Sequence, residues 1–155
     1  MKKTIIPPIF LAVLLFLSAC TILPPAAQFD LSLVNQLAAA DVFSEPLEPL
    51  DADILWALYA LEDFGLNREQ LVRANGQAST GATCEAVCVL HFSDPSAAKT
   101  ALNALQAHID AQIQSNREYR PAEVPKLEKA WLSQRGSSVL LLVASNYDKA
   151  ITWIN

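Results

Sequence analysis

Five apolar residues in a row, Val139-Leu140-Leu141-Leu142-Val143, constrain the fold more than any other stretch of the chain. Successive side chains of a strand point to opposite faces, so a strand with one wet face alternates apolar and polar residues. This run does not alternate, which predicts a central strand buried on both sides. With Gly136 after residues 130–135, it reads as the second arm of a β-hairpin over 130–144. Residues 84–92 give a further strand. Ala86, Cys88, Leu90 and Phe92 form its wholly apolar core face, and Glu85, Val87, Val89 and His91 face the other way. Residues 71–78 form a poorer strand, weakened by Asn75 and Gly76, and residues 79–83 carry turn chemistry.

The remaining elements are helical. Asp30 caps a helix over 29–42 whose Leu31, Val34, Leu37 and Ala38 share one face. Residues 44–50, with Pro46 and Pro49, read as a connector. Asp51 or Asp53 then caps a helix with the stripe Ile54, Leu55, Leu58, Tyr59 and Leu61, stopped by Gly65. Asp94 and Pro95 open the longest helix. Its apolar positions Ala98, Ala101, Leu102, Leu105, Ile109 and Ile113 carry it to about Tyr119. Pro121 and Pro125 break it, with one or two turns resuming over 123–129. A closing helix over 147–154 turns Tyr147, Ile151 and Ile154 inward. The order α-α-β-β-α-β-β-α predicts an α+β domain with a mainly antiparallel four-stranded sheet covered by helices.

The N-terminus is of a different kind. Lys2 and Lys3 precede an uncharged apolar run over 5–17, followed by the small residues Ser18 and Ala19 and then Cys20. The run is shorter than the ~20 residues of a spanning helix and matches a signal peptide. Leu17-Ser18-Ala19-Cys20 looks like a bacterial lipoprotein processing box, with cleavage before Cys20 and lipid on its thiol. Two or three acyl chains, at ~0.8 kcal/mol per buried methylene, anchor stably where one chain does not. The expected organisation is a signal peptide over 1–19, a lipidated cysteine and stiff tether over 20–28, and one α+β domain over 29–155. Pro24 and Pro25 supply the stiffness. The expected location is extracytoplasmic, at the membrane surface.

The whole chain carries 11 basic and 16 acidic residues. Loss of Lys2 and Lys3 leaves 9 against 16, a net charge of −7. That sign opposes binding to nucleic acid or to anionic headgroups, so membrane attachment is assigned to the anchor.

Gly81-Ala82-Thr83 followed by Glu85 and a strand resembles a family of small bacterial lipoproteins, domain of unknown function 4358. The resemblance continues through Tyr119, Pro121, Glu123 and Leu127, the hairpin around Gly136, and Val139 to Val143. It implies a lipid-anchored envelope protein and brings no activity with it. The chain departs from the pattern at Cys84 and Cys88, where small or apolar residues are expected.

No set of residues announces a reaction. Cys84 and Cys88, four apart on a strand, lie ~13 Å from each other, beyond the ~7 Å of a disulfide. They read as free core thiols, Cys84 alone being near enough the turn to pair with another chain. His91 points to the opposite face, so no metal site forms with them. No Gly-x-Ser-x-Gly elbow accompanies Ser79, Ser133 or Ser137. Residues 79–83 have one glycine and no lysine, unlike a phosphate loop. His108, among Gln106, Asp110 and Gln112, reads as a solvated helix histidine. No cofactor is expected.

Two residues are candidates for binding. Trp56 falls off the apolar stripe of its helix, which fits either core packing or an interface anchor. Glu85 projects away from the core face, either toward a ligand or as a surface carboxylate paired with Arg73. The sequence therefore favours a binding or accessory module of the envelope, with an envelope protein as a partner. A small hydrolase acting through Glu85 or His91 is the alternative, and a passive spacer the third reading.

Overall fold

The computed structural model describes residues 27–81 and 83–154. The processing box, Cys20 and most of the tether lie outside them. In chain order the elements are α1 (Leu33–Ala39), β1 (Glu48–Leu50), α2 (Ala52–Leu58), β2 (Leu71–Ala78), β3 (Ala86–Phe92), α3 (Pro95–Tyr119), α4 (Val124–Glu128), β4 (Trp131–Arg135), β5 (Ser138–Val143) and α5 (Tyr147–Ile154). The α+β class holds. The sheet has five strands rather than four, in the order β1-β2-β3-β5-β4, with every neighbouring pair antiparallel.

The added strand β1 comes from the segment read as a connector. It is three residues long and carries Pro49, which pairs with Gln77 at the sheet edge. Proline removes one ladder donor, so an edge is where a sheet tolerates it. The expected element order is corrected accordingly: β1 separates the first two helices, and α4 follows the long one.

β5 is buried along its whole length between β3 and β4, as its unbroken apolar run requires. The central strands divide two cores between them. Cys88, Leu90 and Phe92 of β3 with Val139, Leu141 and Val143 of β5 face α2 and α3. Val87 and Val89 with Leu140 and Leu142 face α1 and α5. The β3 face carrying Glu85, Val87 and Val89 is thus a second interior.

Local chemistry sets the helix ends. Asp51 accepts from the backbone N–H groups of Asp53 and Ile54, which settles the α2 cap between the two aspartates. Asp94 does the same for Ser96 and Ala97, with Pro95 in the first turn of α3. Asp30 accepts from Ser32 N–H rather than capping a long helix, and α1 starts only at Leu33. Leu55, Tyr59 and Leu61 are buried, but Ile54 and Leu58 are exposed at 48% and 40%. The stripe read across α2 is therefore too wide. Gly65, at φ 85°, ends the 3₁₀ turn Leu61–Phe64 that follows.

Candidate functional site

The β2–β3 connection is tied down by hydrogen bonds along its length. Ser79 N–H donates to Glu85 C=O at 2.9 Å and closes it. Two carboxylates from distant segments, Glu45 and Glu123, and the loop's own Glu85 then hold it. Glu45 accepts from the Ser79 hydroxyl and from Thr83 Oγ1, and these hydroxyl bonds hold its carboxyl below the ordinary value. Glu123 Oε2 accepts from Cys84 N–H at 2.9 Å. Glu85 Oε2 accepts from Ser44 N–H at 2.8 Å and from Ser44 Oγ at 2.9 Å. Gly81 belongs to the same design, because a Cβ there would sit 2.8 Å from a Glu45 oxygen.

One cation serves two of these acids. Lys126 Nζ lies 3.1 Å from Glu85 Oε1 and 3.2 Å from Glu123 Oε1. Burial works against the ammonium, but the two carboxylates outweigh it and hold Lys126 above the ordinary lysine value. The Lys126 carbonyl accepts from Tyr147 Oη at 3.0 Å, and Ala144 N–H donates to the same phenol at 3.1 Å. Burial pushes the Tyr147 phenol up to about 12, so it stays a neutral donor.

Beside this clamp lies a half-open cavity of ≈ 250 Å³ between the loop, the end of α2 and the middle of α3. Its apolar wall comes from Leu58, Tyr59, Ile109, Leu127, Leu141 and Val143. Ser79, Thr80, Thr83, Cys84, Gln112 and Arg120 supply polar groups. His108 completes the wall, edge-on to Tyr59 at 5.1 Å between ring centroids. Burial lowers its pKa, against a bond to the Leu58 backbone that raises it. His108 is therefore half-buried and not a solvated residue. Its polar neighbours hid this, although it shares a face with Leu105, Ile109 and Gln112 at three- and four-residue spacing.

The expected site residues separate in space. Glu85 is 1% exposed and paired with Lys126, not a surface carboxylate paired with Arg73. Arg73 is opposite His91 in the ladder, whose Nε2 lies 2.7 Å from Phe29 O. His91 stands six positions along the chain from Glu85, ~20 Å at strand rise, so the two do not share a site. Trp56 is half-buried against the α3-side core, with the Arg68 guanidinium 5.9 Å above its ring. It is not among the residues lining the cavity.

Cys84 and Cys88 are both free. Burial pushes the Cys88 thiol up to about 12 and raises that of Cys84, so neither is a ready thiolate at neutral pH. No group of three or more His, Cys, Asp or Glu placed to hold a metal occurs among the described residues, and no described helix is long and apolar enough to cross a membrane. The residues that sequence reasoning missed are Glu45, Lys126 and Gln112. Lys126 had one signal: it stands within the 119–127 stretch that carried the family resemblance.

No curated protein and no solved structure matches this chain. Residues 55–144 match the family described as Domain of unknown function (DUF4358), a span running from the middle of α2 through the clamped loop, α3, α4 and the hairpin. That is more than half of the chain, which therefore belongs to this family.

Proposed function

We propose that this chain is a lipid-anchored, extracytoplasmic module of a bacterial cell envelope that binds a ligand or partner and catalyses nothing. The observation that carries the binding half is the half-open cavity beside the β2–β3 loop, whose wall is fixed by three carboxylates and one lysine. Binding sites gain affinity when their walls need no ordering on association. The anchoring half rests on Leu17-Ser18-Ala19-Cys20. Against the hydrolase alternative stand the spending of Glu85 on Ser44 and Lys126, the distance of His91, and the neutral thiols.

Two experiments test the proposal in cells producing the full chain. Metabolic labelling with an alkyne fatty acid is expected to mark the protein through Cys20, with loss of label in Cys20→Ala. Unlabelled, released protein overturns the anchor. Crosslinking of the native protein in intact cells, together with a ligand screen, is expected to give one dominant partner or ligand. Random neighbours with no ligand overturn the binding half.

A further inference from the structure

We propose that the cavity between α2, α3 and the β2–β3 loop takes a small amphipathic molecule, a single ring or short acyl chain with one neutral or anionic head group. This rests on reading the domain as a binding module and names what that module binds.

Size comes first. A dry cavity of ~150 Å³ is enough to accept benzene. At ≈ 250 Å³ this one has room for a ring and a substituent, or a chain of comparable bulk. The space exists because the sheet is lined with small side chains at this end. Ala78 and Ala86 face each other in the β2–β3 register, and Ala86 pairs with Val143 on its other side. Larger residues at these positions would fill the gap between sheet and helix.

Chemistry then divides the guest in two. Ile109, Leu127, Leu141 and Val143, with the ring of Tyr59, form a buried and largely apolar floor, the Tyr59 hydroxyl being turned to Cys88. The hydroxyls of Ser79, Thr80 and Thr83, the Gln112 amide and the Arg120 guanidinium sit around it. Gln112 is already oriented, since its Oε1 accepts from Asn116 Nδ2 at 3.2 Å and faces Cys84 Sγ at 4.0 Å. The edge-on Tyr59–His108 pair adds an aromatic wall. The sign of the head group follows from the lining charges. Among the described lining residues, Arg120 brings the positive charge, which its bond from Nε to the neutral Asn116 Oδ1 at 2.8 Å leaves in place, and the carboxylate of Glu85 is occupied by Ser44 and Lys126. A cationic head would meet a guanidinium and no unspent acid.

The test uses the mature chain with Cys20→Ser, which keeps every residue of the described fold, and methyl NMR with benzyl alcohol, hexanoate and benzylamine as probes. Benzyl alcohol and hexanoate are expected to shift the Ile109, Leu141 and Val143 methyls saturably, and benzylamine to bind at least tenfold more weakly. Thr80→Trp, on the exposed rim, and Ala86→Leu, on the floor, should each weaken binding at least tenfold. Thr80→Trp keeps the test decisive where Ala86→Leu fails to fold. Unmoved cavity methyls, equal binding of benzylamine, or binding indifferent to Thr80→Trp overturns the inference. Failure of the probes alongside a specific crosslinked partner sinks the cavity ligand and leaves the module reading standing. Failure of both sinks both.

Discussion

On one side of the sheet, Val87, Val89, Leu140 and Leu142 meet the aliphatic side chains of α1 and the buried Ala150 and Ile154 of α5. None of these residues lines the cavity. On the other side, Cys88, Leu90, Leu141 and Val143 meet α3, whose first turns bury Ala97, Ala98, Ala101 and Ala104. Beyond them the helix presents His108, Ile109 and Gln112, and here the layer opens. The same two strands thus serve a closed core and a vented one. An apolar strand reports that both of its faces are covered; it does not report how completely. The difference lies at one end of the layer, where Ala78 and Ala86 on the sheet meet the polar His108 and Gln112 on the helix and leave space that larger apolar side chains would fill.

Truncation on the two faces of β5 should expose this contrast most strongly. Leu140→Ala, in the closed layer, leaves a void with nothing to relax into it, and its cost is expected near the top of the ~2–5 kcal/mol range for such changes. Leu141→Ala, on the cavity wall, enlarges a space already open to solvent and should cost ~2 kcal/mol. Denaturant unfolding of the two variants measures both. Equal costs would mean that the cavity is closed in solution.

The clamp comes next. Lys126→Met leaves the carboxylates of Glu85 and Glu123 facing the same space without their cation. Removing one partner of a buried ion pair costs about 3–5 kcal/mol. Lys126 is 20% exposed at its side chain, so ~2–3 kcal/mol is expected here. The loss should appear as faster hydrogen exchange at Cys84 and Glu85, on the loop, and much less in α1. Uniform exchange across both layers would mean that the clamp supports the whole fold rather than the cavity wall.

Gly76→Ala probes the vented layer from β2. A Cβ there would lie 2.7 Å from a Leu55 methyl and 3.1 Å from Cys88 Cβ. Leu55 is fully buried, so its methyls can yield only against packed neighbours, and overpacking of this kind costs ~1–3 kcal/mol. We expect ~1 kcal/mol, because the open cavity gives the layer some freedom. A loss of 3 kcal/mol or more, read from the unfolding midpoint at unchanged slope, would show the α2 end to be as tightly packed as the closed face.

The sequence disclosed the elements whose signals are local. Asp94 and Pro95 fix the start of α3, and the unbroken run over 139–143 places β5 between two layers. β1 was hidden because three residues with a proline in the middle carry no strand pattern, and its pairing depends on β2 alone. Glu85 was legible as a residue pointing away from the α3 side. Its partners were not, because Ser44 and Lys126 lie about forty positions away in opposite directions along the chain. The Arg73 pairing rests on strand neighbourhood alone. It failed because β2 and β3 set Arg73 opposite His91, several residues from Glu85. The cavity had no signal of its own: empty space is a property of how elements meet, and only Ala78 and Ala86 hint at it.

The smallest expected effect isolates the vented layer by pH. Burial lowers the pKa of His108 from the ordinary 6.5, so the unfolded chain binds this proton more readily than the folded one. Between the depressed folded value and 6.5, stability must therefore rise with pH. The contribution is complete above the unfolded value and is lost as pH falls through that window. The depressed carboxyls of Asp30, Glu45 and Asp94 act elsewhere: their stabilisation is present above the ordinary carboxyl range, ~4, and disappears only below it. His108→Gln should flatten the decline just below pH 6.5 and leave the acid limb near pH 4 unchanged, as read from unfolding midpoints across the two windows. An unchanged slope below 6.5 would mean that water reaches the ring freely. The α3 side would then be open as far in as the Tyr59–His108 pair, and the apolar floor beneath would be correspondingly smaller.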